Sequence, residues 1–188
     1  MLKYVPNALT ISRFLLIPFI VISAIQGDYI ATIVLLTISG ITDILDGTIA
    51  RKFKLISDFG KLIDPVADKA TQIAVLASLV IKNIIPLWIL LVVIGKEFVM
   101  VSGASFLYGK ELVVSSRWYG KLATVLFYVA IVFSLLIKLL SGRFSLPTIL
   151  LHIDKPIYYL AVLSSIFSLM MYIKAFYMQG YLKDLQKK

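Results

Sequence analysis

Asp43-x-x-Asp46-Gly47-x-x-Ala50-Arg51, then eight residues, then Gly60-x-x-x-Asp64-x-x-x-Asp68, is the stretch on which the reading of this chain turns. Its carboxylates recur at intervals of three and four, the period of one helix face. Asp43 and Asp46 stand one turn apart near the end of one apolar run, and Asp64 and Asp68 do the same at the start of the next. The segment between Arg51 and Gly60 is short and polar enough to return the chain as a tight connection. Two antiparallel helix ends can then aim four carboxylates into one space. Carboxylates are costly beside a bilayer core, and four at close range could not all stay ionised without a cation. An all-oxygen anionic site of this kind suits hard divalent ions. Ordinary solvated carboxylates at helix ends would account for any one of the four. They would not account for all four in register with Gly47, Ala50, Arg51 and Gly60. Small residues let a flat ligand approach the backbone, and Arg51 offers a planar fork to phosphate oxygens. A metal-bound ligand carrying phosphates fits the set better than a bare ion.

The surrounding composition is that of a polytopic membrane protein. Of 188 residues, 60% are hydrophobic and 15% charged, where soluble domains carry about 25% charged residues. Six apolar runs are long enough to cross a bilayer, at roughly 8–25, 30–50, 61–81, 85–107, 119–140 and 156–178. Turn signals separate them: Gln26-Gly27-Asp28, Lys82-Asn83 before Pro86, and Ser141-Gly142-Arg143 before Pro147. The expected architecture is all-α, a polytopic integral membrane protein of six transmembrane helices forming a single domain over 1–188. The N-terminal lead Met1 to Asn7 has no cleavage-site pattern of a signal peptide.

Basic residues cluster in Arg51 to Lys61, Lys110 to Lys121 and the tail Lys183, Lys187 and Lys188, all on one side of six alternating spans. By the positive-inside rule that side is cytoplasmic, together with both termini and the carboxylate motif. The formal charge of +9 is carried in short loops between apolar runs, which suits anionic lipid headgroups and anionic substrates rather than nucleic acid. The absence of cysteine excludes disulfides and thiolate metal sites.

The full motif, with every spacing intact, resembles the signature of the CDP-alcohol phosphatidyltransferase family. Pro6-Asn7-Ala8-Leu9-Thr10-Ile11-Ser12-Arg13 and Asp64-Pro65-Val66-Ala67-Asp68-Lys69 are similar to the first-helix lead and third-helix entrance of its bacterial phosphatidylglycerophosphate synthases. The resemblance implies a six-helix, usually dimeric membrane enzyme that transfers a phosphatidyl group from CDP-diacylglycerol to an alcohol and releases CMP. By position, Asp43, Asp46, Asp64 and Asp68 would hold Mg2+ or Mn2+ as a two-ion site, with Asp68 also the candidate general base. Gly47, Ala50 and Gly60 would line the cytidine pocket, and Arg51 would touch the nucleotide phosphates. Mg2+ or Mn2+ in such a site neutralises phosphates and steadies a leaving nucleotide.

Other charged residues sit where the apolar runs do not need them. Asn7, Thr10 and Arg13 share one stripe of the first helix and could face nucleotide or acceptor; the alternative is a helix cap with a snorkelling arginine. Lys96-Glu97 interrupts the fourth run, and intramembrane ionisable residues default to function. Similar synthases usually have Arg-Glu there, and often a second basic residue where this chain has Ala123. Arg13, Lys96, Arg117 and Lys121 are the candidates for binding a small anionic acceptor, with positive-inside anchoring as the competing role for Lys96 and Arg117. The expected acceptor is glycerol-3-phosphate. Phosphatidylglycerol (as in a cardiolipin synthase), inositol phosphate or serine are the alternatives, and a non-catalytic membrane metal-binding protein is the remote one. Expected partners are CDP-diacylglycerol, the alcohol, membrane lipids and a second copy of the chain, at the cell membrane with the site facing the cytoplasm.

Overall fold

The computed structural model describes residues 5–52, 58–108, 118–145 and 147–186, and within these every regular element is helical. In chain order they are α1 (Val5–Gln26), α2 (Tyr29–Lys52), α3 (Asp58–Ile81), α4 (Leu87–Tyr108), α5 (Trp118–Ser141) and α6 (Asp154–Gln186), with a 3-10 turn at Leu150–His152 before α6. Each coincides with one expected apolar run. The largest difference is at α6, expected to stop near 178 and observed to continue to Gln186. The apolar run gives out there, but the residues that follow, such as Leu182, Lys183 and Gln186, are good helix formers, and no proline stops the helix.

The turns are built from the residues that punctuated the sequence. Gly27 has φ +85, open to glycine without steric cost. Its N–H donates to Ala24 O (3.2 Å) and the Asp28 N–H donates to Ser23 O (3.0 Å). This pair of bonds is a Schellman closure of α1. Asp28 then caps α2, accepting from the Ala31 N–H at 3.0 Å. Ser23 and Thr32 share a hydroxyl–hydroxyl bond of 3.0 Å that ties the end of α1 to the start of α2. At the end of α3 the same device recurs with Asn83 at φ 55. There the Asn83 N–H meets Val80 O and the Ile84 N–H meets Leu79 O, both at 2.9 Å.

The chain forms two compact units, one of Met1–Pro86 with Ser134–Leu151 and the other of Leu87–Phe133 with His152–Lys188. In the first, α1 packs against both α2 and α3. In the second, α4 packs against α6, and Trp88 stacks on Tyr159 with centroids 6.0 Å apart. The start of α5 also meets α6: a Cβ added at Gly120 would lie 2.9 Å from Tyr172 Oη.

The outside of the helices is apolar, and the largely apolar interior also holds polar residues. Ile11, Leu15, Phe19 and Ile22 form an exposed apolar stripe on α1, and Leu122, Val125, Val129, Phe133 and Leu136 form one on α5. The buried faces carry Thr10, Arg13, Ser23, Thr32, Thr71, Gln72 and Ser78. Hydrocarbon rewards this arrangement, because it solvates apolar side chains and leaves polar ones to find partners inside. By length and composition, Gly120–Ser141 and Leu150–Lys174 can each cross a membrane. The apolar stretches Thr10–Gln26 and Tyr29–Asp43 are shorter.

The turn geometry predicts opposite outcomes for two glycines. Gly27→Ala forces a side chain into the left-handed region and should cost about 1 kcal/mol or more of stability. Gly40→Ala, in mid-helix with no heavy atom within 4 Å of the new Cβ, should be neutral or stabilising by up to about 1 kcal/mol. Thermal denaturation of both variants in detergent micelles, followed by size-exclusion fluorescence, checks the pair.

Candidate active site

The last three turns of α2 carry Asp43, Asp46, Gly47, Ala50 and Arg51, and the first three turns of α3 carry Gly60, Asp64 and Asp68. Each group stays within one side of its helix at 100° per residue. On α3 the run from Gly60 to Asp68 rises about 12 Å along the axis. Among these residues, side chains are described for Asp43 and Asp68. Those of Asp46, Gly47, Ala50, Arg51, Gly60 and Asp64 lie outside the described residues, as does Arg117 altogether.

Arg13 is the residue whose position says most about the site. It lies on α1 with 2% of its side chain exposed, and its Nη1 donates to Asp43 Oδ1 on α2. A guanidinium is always charged and too costly to bury without an anion. Here the anion is the first aspartate of the motif, 30 residues away in sequence. The contact engages one carboxylate oxygen, and the Asp43 side chain remains 48% exposed. Arg13 therefore fixes the orientation of Asp43 without covering it. Ligating carboxylates commonly have their other oxygen held in this way by a neighbouring donor. The arrangement fits a hard divalent cation: oxygen donors, an anchored carboxylate, and an open edge. Among the described residues, which do not include the side chains of Asp46 and Asp64, no group of three or more His, Asp or Glu side chains gathers to hold a metal. Asp68 is half-buried, one turn beyond Asp64 in register.

The other acceptor candidates fall in the second unit. Lys96 is buried at 7% exposure in α4, with Nζ 2.7 Å from Glu97 Oε1. Residues adjacent on a helix do not normally face each other, so two long side chains bend to meet. Lys121, in the first turns of α5, is exposed.

One residue of the register went unread in the sequence. Gln72 follows Asp68 by four, is 2% exposed, and has no hydrogen-bond partner at Oε1. Leaving a buried carbonyl unpaired costs about 1–3 kcal/mol. The signal is the even spacing of Gly60, Asp64, Asp68 and Gln72, in which a neutral amide carries no charge to mark it.

The profile of the CDP-alcohol phosphatidyltransferases matches residues 3–167, which takes in the entire motif and all of α1 to α5. The chain belongs to that family. Membership makes it one of a class of enzymes, the phosphatidyltransferases of phospholipid synthesis. Relatives agree. A CDP-diacylglycerol–glycerol-3-phosphate 3-phosphatidyltransferase of Bacillus subtilis is 34% identical over 63% of this chain and 69% of its own length. A Mycoplasma genitalium protein of the same name is 36% identical over 74% of this chain and 61% of its own. A probable CMP-forming cardiolipin synthase of Drosophila melanogaster is 41% identical over 54% of this chain, but only 32% of its own length. The chain thus spans less than two thirds of two of these three relatives. The family is generally dependent on divalent metal, in keeping with the carboxylate site. Its membrane character agrees with the apolar helices α5 and α6.

The Arg13–Asp43 pair predicts an asymmetry. Asp43→Ala withdraws an acceptor from a buried guanidinium, whereas Arg13→Met withdraws the buried charge itself. The first should cost about 1 kcal/mol of stability, discounted for the half-exposed Asp43, and the second clearly less. Urea or thermal unfolding of the two variants and of the double variant measures the coupling. Equal costs would remove the pair from its structural role.

Proposed function

We propose that this chain transfers the phosphatidyl group of CDP-diacylglycerol to glycerol-3-phosphate, giving phosphatidylglycerophosphate and CMP. The observation that carries the reading is the complete motif within the family match, with relatives of that printed activity at 34% and 36% identity. A terminal hydroxyl of the acceptor attacks the phosphorus that bears the diacylglycerol. The bond from that phosphorus to the oxygen of CMP breaks, and the hydroxyl proton passes to Asp68. Two Mg2+ or Mn2+ ions held by Asp43, Asp46, Asp64 and Asp68 would neutralise the phosphates and the departing CMP. Gly47, Ala50 and Gly60 make room for cytidine, and Arg51 binds its phosphates. Arg13 belongs to this scheme through Asp43, whose carboxylate it orients.

Lys96, Arg117 and Lys121 take the acceptor phosphate. Glu97 beside Lys96 holds the ammonium in place and tempers its charge, so that a doubly charged acceptor is not held too tightly to react. In this reading all six helices span the membrane as one domain and both termini face the cytoplasm. The site opens to the same side, and the enzyme is a homodimer in the cell membrane.

A second reading keeps the chemistry and changes the acceptor to phosphatidylglycerol. The Drosophila relative, named a cardiolipin synthase and 41% identical over 103 residues, favours it. CMP release from CDP-diacylglycerol, with acceptors offered singly, separates the two. Glycerol-3-phosphate should support turnover in Mg2+ or Mn2+, and Asp64→Asn should abolish it; turnover with phosphatidylglycerol alone would give the second reading. Lys96→Ala should raise the KM for glycerol-3-phosphate roughly tenfold or more, the value of a charge-assisted hydrogen bond. An unchanged KM would remove Lys96 from the acceptor site.

A further inference from the structure

Gln72 is a buried amide in a helix whose other buried hydroxyls look after themselves. On α3, Thr71 donates to Ala67 O and Ser78 donates to Ala74 O, each at 2.9 Å. Gln72 Oε1 has no such partner at 2% exposure. Its place in the helix is specific. It continues the four-residue spacing of Gly60, Asp64 and Asp68, so its Cα lies one turn, about 6 Å, past that of Asp68 on the same side. Helical side chains slope back toward the N-terminus of their helix. The amide therefore leans over the turn that bears Asp68 rather than away from it.

A carbonyl oxygen in that position needs a donor, and the reactants offer few. Phosphates and acyl esters bring acceptors only. The cytidine and ribose donors belong at the Gly60 end of the register, on the far side of Asp68 from Gln72. What remains is the acceptor alcohol. Its reacting hydroxyl gives up its proton to Asp68. A glycerol acceptor carries a second hydroxyl on the next carbon, and side chains four apart on a helix have Cβ atoms about 6 Å apart. Two vicinal hydroxyls can bridge that interval with one hydrogen bond to each residue.

We propose that Gln72 is a specificity-determining residue whose amide accepts a hydrogen bond from the non-reacting secondary hydroxyl of a glycerol acceptor. The inference rests on the phosphatidyltransferase reading above and on Asp68 as base. It does not depend on which glycerol compound is used, since glycerol-3-phosphate and phosphatidylglycerol both present a terminal hydroxyl beside a secondary one. The contact separates these acceptors from alcohols without a vicinal diol.

The test compares full-length wild type with Gln72→Met, of similar shape and without the acceptor oxygen, on two substrates. One is glycerol-3-phosphate, the other 3-hydroxypropyl phosphate, which lacks the secondary hydroxyl. Wild type should prefer the first by about tenfold in kcat/KM, the value of one satisfied hydrogen bond. Gln72→Met should lose that preference by falling on glycerol-3-phosphate alone. Its Mn2+ affinity by electron paramagnetic resonance and its thermal stability should not fall. Gln72→Leu supplies a second apolar replacement with the same expected ratio. Equal losses on both substrates, or a preference that survives in both variants, overturns the contact while leaving the phosphatidyltransferase reading intact. Should wild type use only phosphatidylglycerol, the same ratio is read against phosphatidylpropanediol. Wild-type turnover with neither glycerol acceptor overturns the functional reading, and the Gln72 contact with it.

Discussion

Burying a guanidinium is costly, and Asp43 supplies an anion that offsets it. Arg13 stands on α1 at 2% exposure and reaches across to α2. Together with the packing of α1 on α2 and α3 and the Ser23–Thr32 bond, this contact helps fix the rotation of α1 and leaves Asp43 48% exposed. One ion pair thereby links the packing of the helices to the first aspartate of the motif.

The second constraint is solvent polarity. Exposed stripes such as Ile11, Leu15 and Phe19 face outward, while Thr10, Ser23, Thr32 and Ser78 lie inside. Helix association in an apolar solvent gains little from hiding leucine, and gains more from close backbones and internal hydrogen bonds. The Ser23–Thr32 bond and the tight approach of Gly120 to Tyr172 are both of that kind.

Much of this was legible in the sequence, for reasons that differ by element. Helix ends at Gly27 and Asn83 were marked because few residues adopt a left-handed backbone there. Runs of apolar residues located all six helices, and failed only at the end of α6, where helix propensity outlasts apolarity. The carboxylate register was read from spacing alone. The partner of Arg13 was not legible, because a contact across 30 residues depends on how two helices rotate against each other. From its stripe, the arginine could equally face nucleotide, acceptor or interface. Lys96 and Glu97 read as an adjacent opposite pair in need of partners, and the structure folds the lysine against Glu97 itself, a pairing that ordinary helix geometry disfavours. Gln72 was legible by spacing and was missed because neutral amides carry no charge to attract notice.

The closure between α1 and α2 bears on how the chain enters a membrane at all. Only Gly27 and Asp28 separate the two helices, and both are engaged in hydrogen bonds that stop one helix and start the other. A hairpin so short forms from neighbouring residues with little loop entropy to overcome. Arg13 and Asp43 lie on opposite arms of it, at similar distances from the turn. Their charges can therefore cancel within a single inserting unit, before any other helix is made. A lone arginine in the first apolar run would resist insertion; a hairpin that carries its own counterion enters as a nearly neutral pair.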